Sequence, residues 1–340
     1  MTMKALLPLS RLYGAAVGIR NHYYDRVEAK KLPVPVVSVG NVTVGGSGKT
    51  PLVATLAKEL LAREFPVAVL SRGYGREGRA PFVLVSDGKD VLVDAREGGD
   101  EPVELARTIP GLVVAVGADR VRAAETLLER LGRHVILLDD GFQHRRLARD
   151  VDLVCFDCRE PDSSLHLLPA GRLREPLRNL KRADAVVLTR WSESCQIPKI
   201  PELGAVPAIR AISRVVGFTR LDLEGDSLDA GAFRDEIVSL ALGVARPERV
   251  RESLDAHVAR VAHVVARRDH HRWSEAELRG IVDEAKARGA GVLLTTGKDA
   301  VKMSRLFLAA SASLPVYRID VETEILDPEV LRALLAFPPL

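Results

Sequence analysis

Short apolar runs rich in β-branched residues alternate with stretches of helical spacing along the first two-thirds of the chain. Val34–Gly40, Pro66–Leu70, Val113–Gly117, Val135–Leu138, Val151–Phe156 and Ala183–Thr189 read as buried strands. Leu52–Arg63, Val103–Thr108 and the stretch from Asp119-Arg120 to Leu131 read as helices. Phe82–Val93 reads as strand, turn at Asp87-Gly88, strand. Strands that are apolar throughout and alternate with helices predict a doubly wound, mostly parallel α/β sheet covered on both faces.

The pattern pauses in the proline-marked stretch Pro198–Pro207 and restarts near residue 208. Ile209–Leu223 reads as extended, Ile237–Val244 and Val258–Val265 as strands, and Val292–Thr295 as a further strand. Ser274-Glu-Ala-Glu277 is a capping box that opens the helix Ala276–Arg288. The expected division is an N-terminal helix over 1–31, a main unit over 32–207, a smaller α/β unit over 208–325 and a C-terminal helix or tail over 326–340.

The N-terminal helix is unusual. Leu12, Ala16, Ile19, Tyr23 and Val27 form one apolar stripe. Residues 1–31 carry Lys4, Arg11, Arg20, Arg26, Lys30 and Lys31 against Asp25 and Glu28, or +4, more than the +3 of all 340 residues. A basic amphipathic helix with aromatic residues can lie in an anionic membrane surface. It can equally pack its stripe on the core, and the pattern alone leaves both open.

Whole-chain charge is too small to call for nucleic acid, and 4% aromatic residues leave little for base stacking. Three cysteines make no disulfide framework and point to a reducing compartment. Cys155 and Cys158 stand at an odd offset on or just past one strand, so a structural role is expected rather than a metal or redox pair. No apolar run approaches the ~18 residues of a spanning helix, and no cleavable signal is evident.

The chemistry concentrates at the carboxyl ends of the strands. Asn41-Val-Thr43-Val44-Gly45-Gly46-Ser47-Gly48-Lys49-Thr50 lies between a strand and a helix. Glycines there free backbone N–H groups to wrap a phosphate, and the helix N-terminus adds positive potential. Lys49 would reach the outer phosphates and Thr50 would sit on Mg²⁺. Thr43 stands where the strict phosphate-loop pattern has glycine. The unit is therefore expected to be P-loop NTPase-like. The strand ending at Leu138 runs into Asp139-Asp140, the Walker B arrangement, followed by His144. Arg72 and Arg76 leave the sheet at its ligand-binding edge, where Arg76 reads as an ordinary loop residue. Taken alone, Asp100 reads as a helix cap and His270 as a polar surface residue.

These stretches together resemble the tetraacyldisaccharide 4′-kinase family, the lipid A 4′-kinases. The resemblance rests on Ser38 to Pro51, Ser71-Arg-Gly-Tyr-Gly75, Gly99-Asp-Glu-Pro102, Leu138-Asp-Asp-Gly-Phe-Gln-His144, Leu168-Pro-Ala-Gly171 with Arg174-Glu-Pro176, Asp269-His270 and Lys298-Asp-Ala-Val-Lys302. Such kinases also lack the strict first glycine, so Thr43 is no departure. Gly297, where the family usually has Glu, and Arg267-Arg268, where an aromatic is typical, are departures.

The resemblance implies transfer of the ATP γ-phosphate to the 4′-hydroxyl of a tetraacylated glucosamine disaccharide 1-phosphate. It implies two α/β/α domains around a cleft, with a strand-like linker. It nominates Asp100 as base, oriented by His270, with Lys49 on the phosphates and Thr50, Asp139, Asp140 and Glu175 around Mg²⁺. Arg72, Arg120, His144 and Arg174 are its candidates for substrate or phosphate contacts. It also favours membrane contact for residues 1–31, at the cytoplasmic face of a bacterial inner membrane. Two other classes compete. A GTPase-type switch would need an Asn/Thr-Lys-x-Asp signature, and Thr296-Gly-Lys-Asp299 has the wrong spacing. A soluble small-molecule kinase or ligase would make residues 1–31 an ordinary core helix.

Overall fold

The computed structural model describes residues 3–193, 195, 206–221, 226–303 and 314–340. Most of the proline-marked boundary therefore lies outside the described residues, as does the end of the extended stretch at 209–223.

The first unit is built on parallel strands β1 (Val36–Asn41), β2 (Val67–Ser71), β4 (Val113–Val116), β5 (Val135–Asp139), β6 (Val151–Asp157) and β7 (Ala185–Thr189), with β3 (Val83–Asp87) antiparallel to β4 at the edge. All six parallel strands are buried along their length, which is why each reads as a continuous apolar run rather than an alternation. The expected second strand near residue 91 is only a bridge from Val91 to Ser86. Helix α2 (Lys49–Ala62) covers one face through Leu52, Val53, Leu56 and Leu60. Helix α5 (Arg120–Leu131) covers the other through Ala123, Ala124 and Leu127. Cys155 and Cys158 fall in separate clusters of the core, so they form no pair.

The second unit has parallel strands β10 (Ile237–Leu242), β11 (Arg260–Ala266) and β12 (Val292–Thr296), with β13 (Val316–Ile325) parallel to β12. The long strand β8 (Ala208–Arg220) joins the two units. Its first residues pair with β7, and the rest runs antiparallel to β13 from Ala211 to Arg220. The short strand β9 (Ser227–Asp229) adds to its outer side. The hydrogen-bonded path is continuous, in the order β11-β10-β12-β13-β8-β7-β6-β1-β5-β2-β4-β3. After β13 the chain returns to the first unit, where α9 (Pro328–Leu334) and the residue after it place Leu331 and Leu335 in the core beneath β1 and α2.

The N-terminal helix α1 (Met3–Tyr24) turns its apolar stripe outward. Leu9, Leu12, Ile19 and Tyr23 are 50%, 69%, 73% and 60% exposed, and Val27 just beyond the helix is exposed as well. The inward face is largely polar. Ser10 Oγ donates to the Leu167 carbonyl (2.9 Å) and accepts from the Ala170 N–H (3.0 Å). Tyr13 donates to the Arg174 carbonyl (2.9 Å), and Arg145 donates to the Asn21 carbonyl (3.0 Å). Among the described residues, Val17 is the one buried apolar side chain of α1. The helix is thus pinned by hydrogen bonds while its greasy face stays in water.

Candidate active site

The phosphate loop closes the amino end of α2, with Gly48 as its cap at φ 84°, a left-handed conformation open to glycine at little cost. Neighbouring segments fix its shape. The Asn41 side chain donates to Ser47 Oγ (2.7 Å), and Thr189 donates to the Ser47 carbonyl (2.9 Å). Thr43 pairs with Leu173, and the Val44 N–H donates to the Arg172 carbonyl (2.8 Å). Arg172 and Arg190 cap the loop's outer carbonyls at Val44 (2.6 Å) and Gly46 (3.2 Å). Neither arginine was nominated from the sequence. Arg190 follows the end of β7, and its position at a strand's carboxyl end was the available signal.

Lys49 Nζ lies 3.4 Å from Asp140, whose carboxylate also accepts two hydrogen bonds from Arg174, at 3.0 and 3.1 Å. Burial pushes the Asp140 carboxyl up, but Lys49 and Arg174 outweigh it and hold it below 3.8. Asp140 has φ 55°, a conformation uncommon outside glycine but better tolerated by Asp. Its neighbour Asp139 is different. It is buried, and one oxygen receives a long hydrogen bond from Ser71 (3.4 Å). Its other oxygen has no partner among the described residues. Burial and the nearby charge of Glu101 push this carboxyl up to about 7.

Arg120 is buried behind the pair and donates to the Ala118 carbonyl (3.1 Å). Burial pulls its guanidinium down while Asp140 and Asp139 pull it up. Arg72 is exposed on the loop after β2, close enough to Arg120 for their charges to oppose one another. His144 is half-buried beside Arg120, and burial with that charge lowers it to about 4, so its ring is neutral at pH 7. Glu175 is not brought to this group. The 3₁₀ turn Leu177–Arg182 folds Asn179 (2.6 Å) and Arg182 (2.7 Å) onto its carboxylate, and Asn21 of α1 reaches the same oxygen (3.3 Å). It holds the N-terminal helix to the body.

Asp100 opens helix α4 (Asp100–Thr108), but the helix's cap is Gly99, which offers no side-chain hydrogen bond. The Asp100 carboxylate instead meets His270 Nδ1 at 3.1 Å, across 170 residues of sequence and between the two units. Lys298 lies 3.3 Å from His270 Nε2. An ammonium can only donate, so Nε2 accepts and the ring hydrogen sits on Nδ1, aimed at Asp100. Lys298 is itself held by Asp269 (2.8 Å) and Glu101 (3.1 Å). Burial pushes the Asp100 carboxyl up, but the His270 hydrogen bond and the charges of Lys302 and Lys298 hold it below 3.8. His270 has φ 62°, a second left-handed non-glycine residue at this site.

Glu101 links the two clusters, because Thr50 donates to it at 3.2 Å. Sequence reading passed over it, although it neighbours Asp100 at the start of the same helix. Gly297 has a local explanation. A Cβ there would come within 2.0 Å of Glu104 Oε1 on α4, so the Glu104 carboxyl fills the space a side chain would need. Arg267 turns away to Glu277 (2.6 Å).

A family model described as tetraacyldisaccharide-1-P 4′-kinase matches residues 2–337. The chain belongs to the tetraacyldisaccharide-1-P 4′-kinase family. It is 41% identical over 327 residues to the tetraacyldisaccharide 4′-kinase of Geobacter sulfurreducens, covering 95% of this chain and 90% of that one. It is 39% identical over 331 residues to the kinase of the same name from Syntrophus aciditrophicus, covering 93% and 87%. The crystal structure of LpxK from Aquifex aeolicus in complex with ATP superposes with a TM-score of 0.80 at 33% identity, over 98% of each chain. The match to this kinase fold fits a doubly wound sheet with a second, smaller α/β unit.

Proposed function

We propose that this member of the kinase family transfers the γ-phosphate of ATP to the 4′-hydroxyl of a tetraacylated glucosamine disaccharide 1-phosphate, with Asp100 as the base. The observation that carries the reading is the Asp100–His270 contact, set one residue from the Glu101 that Thr50 of the phosphate loop reaches. Lys49 and the loop amides bind and screen the triphosphate. Arg174, paired with Asp140, would steady phosphate oxygens, and the buried Arg120 would add positive charge behind the acidic pair. Asp100 takes the proton of the sugar hydroxyl as it attacks, and His270 holds the carboxylate at the angle this requires. Because the two residues come from different units, movement of residues 208–325 about the β8–β13 ribbon would assemble the site and exclude water.

The residues fit a magnesium ion. Thr50, Asp139 and Asp140 are hard oxygen donors beside the phosphate loop, and a buried carboxylate oxygen of Asp139 lacks a partner among the described residues. Asp139 and Thr50 would hold the ion, since Asp140 already serves Lys49 and Arg174. When bound, it would neutralise charge on the phosphates. The direct test is ATP turnover with a lipid disaccharide 1-phosphate acceptor and mapping of the product. Phosphate at the 4′ position is expected, and phosphate elsewhere, or ATP hydrolysis indifferent to the acceptor, refutes the reading.

The exposed stripe and +4 charge of residues 1–31 support seating on an anionic membrane, at the cytoplasmic face where ATP is supplied. None of the described helices is long and apolar enough to cross a membrane. Each Lys or Arg near such a surface contributes about 1 kcal/mol, screened by salt. The protein should float with vesicles containing anionic lipid, less so as salt rises. A variant with Leu12, Ile19 and Tyr23 changed to Ser should float poorly while keeping its fold, because those side chains are exposed. Equal flotation of the variant would rule out this seating.

A further inference from the structure

Lys302 lies in the turn that follows helix α8 (Gly297–Ala300). Its side chain is only 6% exposed, and its ammonium stands between two carboxylates, 2.9 Å from Asp299 Oδ1 and 3.4 Å from Asp100 Oδ2. Asp299 is fully buried and rigidly held. It accepts from the Gly243 N–H (2.8 Å), the Trp273 indole (3.1 Å) and the Thr296 hydroxyl (2.8 Å). A buried ammonium needs a carboxylate partner, and the first is supplied by the second unit's own framework. Its position is therefore set before Asp100 arrives from the other unit.

We infer that Lys302 is a positioning residue for the reaction, fixing the Asp100 carboxylate from the side opposite the reacting hydroxyl; the inference rests on Asp100 being the base. The contacts with His270 Nδ1 and Lys302 Nζ both fall on Oδ2. The His270 hydrogen bond and the Lys302 ion pair thus engage one oxygen and leave Oδ1 to take the proton. Misplacement of a reacting group by about 1 Å can cost roughly a hundredfold in rate, which makes a second tie worth having. The charged groups around Asp100 are Glu101 and Glu104 on its own helix, Lys298, Asp299 and Lys302 on and after α8, Asp269 and His270 on the loop after β11, and Arg318 of β13 near Glu104. Of the two ammonium groups whose charge acts on the Asp100 carboxyl, Lys298 is already engaged by Glu101 and Asp269; with the His270 ring N–H supplying the first tie, Lys302 is left for the second.

The test is a mutant cycle on the full chain, reading kcat and KM with ATP and the lipid disaccharide 1-phosphate, with thermal melting to verify folding. Lys302→Met removes the ammonium and keeps the apolar stem. It should lower kcat by roughly ten- to a hundredfold and leave KM for ATP unchanged, because the residue is outside the phosphate loop. Combined with Asp100→Asn it should cost nothing further, since the carboxylate it positions is gone. The acidic limb of the wild-type rate profile should also move to higher pH in Lys302→Met, as loss of a nearby positive charge makes a carboxylate easier to protonate. If Lys302→Met does not fold, Lys302→Gln carries the same comparison. A near-normal kcat, or a full additive loss on top of Asp100→Asn, overturns the inference and leaves the base in place. A near-normal rate for Asp100→Asn alone overturns the base, and the inference with it.

Discussion

Asp100→Asn and His270→Ala are each expected to lower turnover by roughly 10²–10⁴-fold, the usual contribution of a positioned base. Asp100→Asn keeps shape and hydrogen-bonding capacity but removes the basic oxygen. His270→Ala removes the ring that donates to Asp100 at 3.1 Å. If both changes delete one function, the double variant will be little slower than the slower single variant. KM for ATP should move less than kcat, because neither side chain touches the phosphate loop. Asp100→Asn should melt somewhat below wild type, because the charge that faces His270 and the buried Lys302 is lost, so turnover is to be read on protein verified as folded. Turnover with saturating lipid acceptor decides the matter: additive losses, or single variants near the wild-type rate, would sink the pair.

Lys49→Ala is expected to cost at least about a hundredfold in turnover, the scale for losing one charged or hydrogen-bonding stabiliser of a developing anion. The loop should survive the change. Its conformation is held by Asn41, Thr189, Arg172 and Arg190 rather than by the ammonium. Asp140 keeps Arg174 as a partner, so no unpaired carboxylate is left behind. A melting temperature close to wild type with turnover lost is the predicted combination. Near-normal turnover in a folded Lys49→Ala protein would mean that the loop does not bind the transferred phosphate through Lys49.

Much of the first unit was legible because parallel strands buried on both faces write themselves as continuous apolar runs, and because glycine punctuation marks the phosphate loop. The Asp139-Asp140 pair was legible for the same reason, standing where such a run stops. Asp100 and His270 were not legible locally. One begins a helix and the other lies in a loop, nothing local to either distinguishes it from a cap or a surface residue, and they meet only across 170 residues of sequence. The resemblance supplied that pairing, and the geometry then placed the two side chains in contact. Glu175 is a different case. It follows Arg174 in a stretch that does reach the acidic pair, but adjacent side chains diverge, and it binds Asn21, Asn179 and Arg182 instead. The N-terminal stripe was legible as a stripe. Its direction was not, because a helix shows the same period whether its apolar side meets a core or water.

The return of the chain after β13 bears on how the protein is made. Leu331 and Leu335 fill the same core as β1 and α2, which are synthesised almost three hundred residues earlier. During vectorial synthesis the first unit therefore emerges with its central strands in place but its core unsealed. The apolar surface awaiting α9 stays open while the whole second unit is added. Nascent chains at that stage are expected to be the most vulnerable to chaperone capture, proteolysis and aggregation. The phosphate loop sits at the head of α2, on the helix that this segment packs under, so nucleotide binding is expected to mature only after residues 328–335 have been made.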